Sequence, residues 1–274
     1  MSLVSVPSMA SAPSIAPRLI VTDLDGTLLG LDGAVSVRNA AALERAVAAG
    51  ARVVIATGRP VRWLDHLKSS FHSSLAICCN GGMVIDLETG DVLTSYVLDG
   101  RRLLAAVTGL RSAGNLFAIG VEGLPGFGLV VEPEFPLDGR AEVATMPLGE
   151  LCAGPVVKVL IRPLEGEADS IRKYLEEFHA ADFTVTRSTN DGLIELSLAG
   201  ITKGAVIAGL ADSWGIAARD AIAFGDMPND IEMLLWAGRS VAMGNADAAV
   251  KAIATETASD HDSHGVAEVL ERWF

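Results

Sequence analysis

Short apolar runs alternate with amphipathic stretches at both ends of the chain. Five of the runs have the length of buried strands, and five of the stretches have helical periodicity. The predicted strands are residues 19–22, 52–56, 75–79, 221–224 and 239–243, and the predicted helices are residues 36–49, 60–69, 203–214, 229–237 and 246–253. This alternation is typical of a doubly wound, Rossmann-like α/β fold, whose parallel sheet is covered by helices on both faces.

The pattern changes between residues 85 and 191, where the regular alternation of strands and helices is lost. Strands are predicted there at residues 92–98, 116–121, 127–131, 156–161 and 183–186, with helices at residues 101–112 and 167–179. We therefore predict a core domain from residues 18–84 and 192–274, and an inserted α+β domain from residues 85–191. Hinges are expected near residues 84–88 and 188–192, because Gly90 and the stretch 189–192 supply turn residues.

Composition limits the classes of function. The chain has 34 acidic and 21 basic residues, a formal charge of −13, which argues against a nucleic-acid partner. The three cysteines form no disulfide framework, and we find no apolar run of about twenty residues that would predict a membrane span. Residues 1–17, rich in Ser, Ala and Pro, lack the features of a secretory signal and are expected to be a flexible tail. We expect a cytoplasmic protein that is a monomer or a weak homo-oligomer.

Two carboxylates, Asp23 and Asp25, follow the first predicted strand and precede the turn residues Gly26 and Thr27. Alternate side chains of a strand point to the same face, so both acids could face one crevice if Asp23 still belonged to the strand. Both would be ionised at neutral pH unless a cation or a shared proton relieved their repulsion, and the pair therefore points to a metal. The competing interpretation is a polar turn at a strand end.

Three further groups have side chains suited to phosphate or metal. Thr57 and Gly58 end the second predicted strand, where a hydroxyl and backbone amides can donate to phosphate oxygens. Lys203 opens a predicted helix and could neutralise phosphoryl oxygens. Asp226 and Asp230 flank an acidic loop after the fourth strand, and carboxylates are ligands that Mg²⁺ prefers. Taken singly, each has another explanation: a helix cap, a solvated surface lysine, or acids that favour a helix N-terminus.

These four groups, in this order, resemble the motifs of the haloacid dehalogenase (HAD) superfamily of phosphohydrolases. The resemblance implies that Asp23 is the nucleophile and Asp25 the general acid/base. It implies that Mg²⁺ is held by Asp23, Asp226 and the backbone carbonyl of Asp25, with Asp230 acting through a water. The phosphate ligands that it implies are Thr57, Lys203, Asn229 and backbone amides near Leu24 and Gly58.

Other segments resemble the Cof-like subfamily with its class IIB cap, and they are residues 79–85, 194–197, 243–246 and 265–267. The resemblance implies that the inserted domain is a cap over the active site and that the substrate is a sugar phosphate or another small phosphorylated metabolite. Specificity would belong to cap side chains, although solvated charges are the alternative for each of them. The polar candidates are Arg101, Arg102, Arg111, Glu122, Lys158 and Arg187.

The function that follows from the resemblance is a magnesium-dependent phosphatase acting through an aspartyl-phosphate intermediate. A dehalogenase of the same fold is disfavoured, because it would not need the second acid, Asp25. A phosphomutase would keep all four motifs, and only analysis of its products separates it from a hydrolase. A catalytically idle module that binds metal and phosphate is the third alternative.

Overall fold

A computed structural model describes residues 15–70, 74–137, 143–164, 168–189 and 191–274, so residues 1–14 of the predicted tail lie outside the described residues. The described strands form two sheets, of eight and six strands. In chain order the strands are β1 (Leu19–Thr22), β2 (Arg52–Ala56), β3 (Leu75–Cys78), β4 (Met83–Asp86), β5 (Val92–Ser95), β6 (Phe117–Gly123), β7 (Leu129–Val131), β8 (Ala144–Thr145), β9 (Val156–Pro163), β10 (Phe183–Thr186), β11 (Ile194–Leu198), β12 (Ala221–Gly225), β13 (Arg239–Ala242) and β14 (Glu256–Thr257). The α-helices are α1 (Val37–Ala48), α2 (Gly100–Ser112), α3 (Leu148–Ala153), α4 (Ala168–Phe178), α5 (Lys203–Ser213), α6 (Ile231–Trp236), α7 (Ala248–Ile253) and α8 (Gly265–Leu270).

The larger sheet is the α/β core that the sequence predicted. Its strand order is β14-β13-β12-β1-β2-β3-β4-β5, and all the pairs from β14 to β3 are parallel. All four residues of β1 are fully buried, as expected for a strand covered on both faces. The strands β4 and β5 add an antiparallel edge next to β3.

The strand order reverses at β1, with β2 on one side and β12 on the other. Helical connections therefore leave the carboxyl ends of β1 and β12 in opposite directions, which opens a crevice between them. Asp23 directly follows β1 and Asp226 directly follows β12. The backbone N–H of Asp23 donates to the Phe224 carbonyl at 3.1 Å, so the two loops begin side by side.

The smaller sheet has the order β10-β11-β9-β6-β7-β8 and is antiparallel except for the pair β7–β8. Helices α2 and α4 contribute Leu103, Leu110 and Leu175 to its hydrophobic core, which is separate from that of the larger sheet. The inserted segment is thus α+β, with a core of its own.

Both domain boundaries differ from those predicted, because two strands belong to the other sheet. Val92–Ser95 pairs with β4 in the larger sheet, although it was predicted in the insertion, and Ile194–Leu198 lies in the smaller sheet, although it was predicted in the core. The first crossing lies at Val97, since Tyr96 donates to Gly82 in the core while Leu98 donates to Val156 in the cap. The second crossing lies between β11 and α5, so the predicted hinges near 84–88 and 188–192 are wrong. Alternation shows which face a residue occupies, but it does not show which sheet a strand joins.

The helix predicted at residues 60–69 is also wrong. The chain forms two 3₁₀ turns there, Val61–Trp63 and Asp65–Ser70. Leu64 and Leu67 are buried and Val61 packs against the same core, so the apolar positions recur every third residue, which is the period of a 3₁₀ helix. Among the described residues, no helix has the length and apolar character needed to cross a membrane.

Candidate active site

Three buried carboxylates meet in the crevice between β1 and β12. Asp23, Asp226 and Asp230 each contribute an oxygen, and these oxygens lie within 4.8 Å of one another. Lys203 reaches the cluster from the start of α5, where Thr202 accepts a hydrogen bond from the Ala205 amide at 3.0 Å and caps the helix. The fold therefore brings together side chains from three of the four sequence motifs.

The Lys203 ammonium lies between two of these carboxylates. Its Nζ donates to Asp23 Oδ1 at 2.9 Å and to Asp230 Oδ1 at 2.7 Å, and its side chain is fully buried. Burial opposes the charged form, but the carboxylates of Asp23 and Asp230 outweigh it and raise the pKa of Lys203 above its ordinary value. The lysine is therefore a fixed positive charge.

One ammonium does not balance three carboxylates. Burial raises the pKa of Asp23 well above its ordinary value, and Lys203 counteracts only part of the rise. Burial, followed by repulsion from Asp230, raises the pKa of Asp226 to about 7. A divalent cation would relieve this excess of negative charge, and carboxylate oxygens are donors that hard divalent cations prefer. The residues present therefore fit a divalent metal.

Asp230 differs from the other two carboxylates because its oxygens are already engaged by donors of the protein. Its Oδ1 accepts from Lys203, and its Oδ2 accepts from the backbone amides of Asp226 and Met227 at 3.0 Å each. These bonds hold the loop after β12 in place and orient Asp226 toward the cluster.

Gly26 allows the loop after β1 to approach Asp226. Its φ is +73°, and a Cβ at this position would lie 2.3 Å from Asp226 Oδ2. The Thr27 hydroxyl donates to Asp226 Oδ1 at 2.9 Å, and the Asn245 side-chain amide donates to the Gly26 carbonyl at 2.8 Å. A side chain at position 26 would push the Asp226 carboxylate away from its partners.

Asp25 lies outside the buried cluster and has a 59% exposed side chain. Arg59 holds it through a two-bond ion pair, in which Nε donates to Oδ2 at 2.7 Å and Nη2 donates to Oδ1 at 2.6 Å. Sequence patterns alone did not identify Arg59 as a site residue. The signal was present, because Arg59 immediately follows Thr57 and Gly58 of the second motif.

Two of the five predicted phosphate ligands, Gly58 and Asn229, line a cavity of 360 Å³ with Asp23 and Asp25. Thr57 is buried, and its hydroxyl accepts from the Arg59 amide at 3.1 Å, which leaves the hydroxyl proton free to donate. Leu24 is buried in the turn after β1.

Two of the six polar cap candidates, Glu122 and Lys158, line this cavity, and both are buried. Lys158 Nζ donates to the Gly58 carbonyl at 2.9 Å, and Glu122 is ion-paired with Arg62 of the core. The other four candidates pair with carboxylates elsewhere. These pairs are Arg101–Asp99, Arg102–Asp182, Arg111–Glu132 and Arg187–Asp247.

Comparison with known proteins identifies the class. The family model of haloacid dehalogenase-like hydrolases matches residues 20–121 and 149–270. The 5-amino-6-(5-phospho-D-ribitylamino)uracil phosphatase YitU of Bacillus subtilis is 32% identical over 267 residues, which cover 94% of this chain and 98% of YitU. The chain therefore belongs to the haloacid dehalogenase-like hydrolases and is an enzyme of the phosphoric monoester hydrolase class.

Solved structures agree with this assignment. A haloacid dehalogenase-like hydrolase from Bacteroides thetaiotaomicron has a TM-score of 0.77 at 29% identity, covering 94% of this chain and 100% of that chain. The HAD subclass IIB sugar phosphatase BT4131 has a TM-score of 0.75 at 23% identity, covering 93% and 98%. The predicted HAD core with a class IIB cap is confirmed.

Proposed function

We propose that the protein is a magnesium-dependent phosphatase that hydrolyses small phosphate monoesters through an aspartyl-phosphate intermediate. The observation that carries this proposal is the position of Lys203, which bridges Asp23 and Asp230 beside Asp226. Lys203 together with a bound divalent cation would keep the buried Asp23 carboxylate ionised for attack, in a cavity that Asp25 also lines.

Asp23 and Asp25 have different roles in the proposed reaction. A carboxylate oxygen of Asp23 attacks phosphorus, while Lys203 donates to Oδ1 of the same carboxylate. As the bond from phosphorus to the leaving oxygen breaks, protonated Asp25 donates its proton to that oxygen and an alcohol leaves. Asp25 then takes a proton from water, whose oxygen attacks phosphorus. The bond to Asp23 breaks, inorganic phosphate is released, and the free carboxylate is restored.

The remaining residues bind and orient the phosphoryl group. Lys203, Thr57, Asn229 and the amides near Leu24 and Gly58 surround its oxygens in this proposal. Asp23, Asp226 and the Asp25 carbonyl would hold Mg²⁺, with Asp230 acting through a water. When bound, the ion supplies charge that offsets the carboxylates and the phosphoryl oxygens. Most of the rate acceleration then comes from positioning and electrostatics.

The lining of the cavity suits a metabolite that has hydroxyl groups as well as an apolar or planar part. Its volume of 360 Å³ suits a small ligand, and its walls combine Trp63 and Leu160 with the charged groups of Glu122 and Lys158. Hydroxyls can donate to Glu122 and accept from Lys158, while a ring can stack on Trp63. The first candidate is therefore 5-amino-6-(5-phospho-D-ribitylamino)uracil, which YitU is named for dephosphorylating.

Release of inorganic phosphate tests the proposal. The purified protein is incubated with MgCl₂ and with p-nitrophenyl phosphate, this ribitylaminouracil phosphate or a panel of sugar phosphates. We expect phosphate release that stops in excess chelator, returns with added Mg²⁺ and is absent in Asp23→Asn. Isomeric phosphate esters formed without inorganic phosphate would instead identify a phosphomutase. Phosphate binding with no turnover of any substrate would identify an idle binding module.

A further inference from the structure

A chain of polar contacts runs from Lys158 in the cap to Asn229 in the core, a proposed phosphate ligand. Lys158 and Glu195 form an ion pair within the cap, with Nζ 2.5 Å from Oε1. Glu195 Oε2 accepts from Asn80 Nδ2 at 2.7 Å, and Asn80 Oδ1 accepts from Asn229 Nδ2 at 3.0 Å. All four side chains are buried.

The charged pair at the cap end of this chain determines which side-chain groups donate and which accept along it. An ammonium group only donates hydrogen bonds, and a carboxylate paired with it only accepts them. The Asn80 group that faces Glu195 must therefore be the NH₂, which directs the Asn80 oxygen to Asn229. That oxygen in turn requires the NH₂ of Asn229 on its side. A carboxylate in the cap thus decides the orientation of two amides in the core.

The orientation of the Asn229 amide determines whether a hydrogen-bond donor or an acceptor faces a phosphoryl group bound in the cavity. An amide nitrogen carries two hydrogens, and one of those on Nδ2 is used by Asn80. Nδ2 and its acceptor, Asn80 Oδ1, both lie on the side of Gly58, because a Cβ at Gly58 would be 3.8 Å from the nitrogen and 3.1 Å from the oxygen. The second hydrogen is therefore available to a phosphoryl oxygen bound beside Gly58. The Asn229 oxygen is buried without a partner in the described residues, so hydrogen bonding at that atom does not fix the amide.

The backbone keeps Asn80 in place independently of its amide, whose Nδ2 also donates to the Thr186 hydroxyl at 3.1 Å, a group that can either accept or donate. Cys79, Asn80 and Gly81 have φ values of +53°, +58° and +113°, a left-handed stretch in which asparagine is favoured among side-chain-bearing residues. Cys79 N–H donates to the Arg59 carbonyl at 3.0 Å, and Asn80 N–H donates to the Thr57 carbonyl at 3.1 Å. A change in the partner of Asn80 should therefore turn the amide without displacing it.

We propose that Glu195 is a positioning residue for phosphate binding, because it orients the Asn229 amide through Asn80. The contact between Glu195 of the cap and Asn80 thereby favours the orientation of Asn229 in which its NH₂ group can donate to a phosphoryl oxygen. The inference rests on the proposed phosphatase function, in which Asn229 is a phosphate ligand. It adds a cap residue that acts on phosphate without touching it.

The variant Glu195→Gln tests whether the carboxylate of Glu195 sets the orientation of the two amides. Lys158 requires an acceptor, so the new amide presents its oxygen to Lys158 and its NH₂ to Asn80. Asn80 then turns, Asn229 turns in response, and the Asn229 oxygen replaces the Asn229 NH₂ group as the atom offered to a phosphoryl oxygen. We expect the dissociation constant of inorganic phosphate, measured by calorimetry with MgCl₂, to rise about ten-fold, as for loss of one hydrogen bond to a charged group.

A second substitution should reverse this effect. In the double variant Glu195→Gln, Asn80→Asp, the introduced aspartate accepts from the new glutamine with one oxygen and from Asn229 with the other. We expect phosphate binding near that of the wild type, although Asn80→Asp alone, which opposes two carboxylates, binds phosphate weakly. Such a recovery is a coupling between contacting residues that loss of structure would not produce.

Glu132→Gln is the matched control. Glu132 is another buried cap carboxylate, paired with Arg111 at 2.6 Å, and its bonds lie within the cap. It should leave phosphate affinity unchanged. Melting temperatures identify any variant that fails to fold. If Glu195→Gln does not fold, the double variant must still bind phosphate more tightly than Asn80→Asp.

Wild-type affinity in Glu195→Gln, or a double variant no better than Asn80→Asp, overturns the inference. A wild-type protein that binds no phosphate overturns it as well. The assay measures binding, so it separates the two proposals. If substrates are hydrolysed but the variants show no recovery, the inference fails and the phosphatase function stands. If the recovery is seen without turnover of any ester, the function fails and the inference stands.

Discussion

The guanidinium group of Arg59 holds the carboxylate of Asp25 through two parallel hydrogen bonds of 2.7 and 2.6 Å. This pairing fixes the orientation of the proposed general acid/base, whose side chain is otherwise more than half exposed. A fork of two donors constrains both position and rotation, which a single ammonium group cannot do.

Arg59→Lys should therefore lower kcat while retaining the positive charge. We expect a loss of about ten-fold, which is a fraction of what a general acid contributes, with little change in KM. Arg102→Lys is the control, since Arg102 pairs with Asp182 and is absent from the lining of the cavity. Steady-state kinetics with p-nitrophenyl phosphate provide the measurement, and an unchanged kcat in Arg59→Lys would exclude the positioning role.

Gly26→Ala should disrupt the metal cluster. The residue has φ +73°, and the added Cβ would lie 2.3 Å from Asp226 Oδ2. Gly33→Ala is a closely matched control, because Gly33 has φ +74° but nothing within 4 Å of its would-be Cβ. Both variants should lose about 1–2 kcal/mol of unfolding free energy from backbone strain.

Only Gly26→Ala should also weaken the response to Mg²⁺. We expect the Mg²⁺ concentration for half-maximal activity to rise about ten-fold or more, which corresponds to about 1.4 kcal/mol. Titration of activity with MgCl₂ compares the two variants. Equal Mg²⁺ dependence in both would show that the close approach at Gly26 does not matter for the metal.

The stability of the metal-free protein should depend on pH through Asp226. Its pKa is raised from 3.8 to about 7, so the stability that this group contributes is present at low pH and lost as pH rises through about 7. The neutral variant Asp226→Asn should lack this loss. In excess chelator, we expect it to be more stable than the wild type at about pH 8 and to lose that advantage progressively as the pH falls from about 7 to about 4.

Urea unfolding at several pH values measures this difference. Mg²⁺ should stabilise the wild type by binding the folded state, and should stabilise Asp226→Asn less. A difference in unfolding free energy that stays constant from acidic to alkaline pH would contradict the raised pKa of Asp226.

The local parts of the site could be predicted from the sequence. Asp23, Thr57 and Asp226 each follow the end of a short apolar strand, and the parallel sheet brings those ends together. Lys203 opens a helix that Thr202 caps, which is again a local signal. These positions follow from patterns of a few neighbouring residues.

Long-range pairings could not be predicted in the same way. Arg59 and Asp25 are 34 residues apart, and Asn80 and Glu195 are 115 residues apart. Hydrophobic periodicity reports the face of an element, but it contains no information on which distant polar side chain lies opposite. The partner of β5 was missed for the same reason, since an exposed edge strand has no burial pattern that identifies its sheet.

Trapping of the phosphorylated enzyme tests whether Asp23 is the nucleophile. The wild type and Asp23→Asn are mixed with radiolabelled p-nitrophenyl phosphate and MgCl₂, quenched in acid and digested. We expect a base-labile label on the wild-type peptide that contains Asp23, with neither label nor phosphate release in Asp23→Asn. Phosphate release from Asp23→Asn at the wild-type rate, with no labelled peptide from either protein, would contradict this role of Asp23.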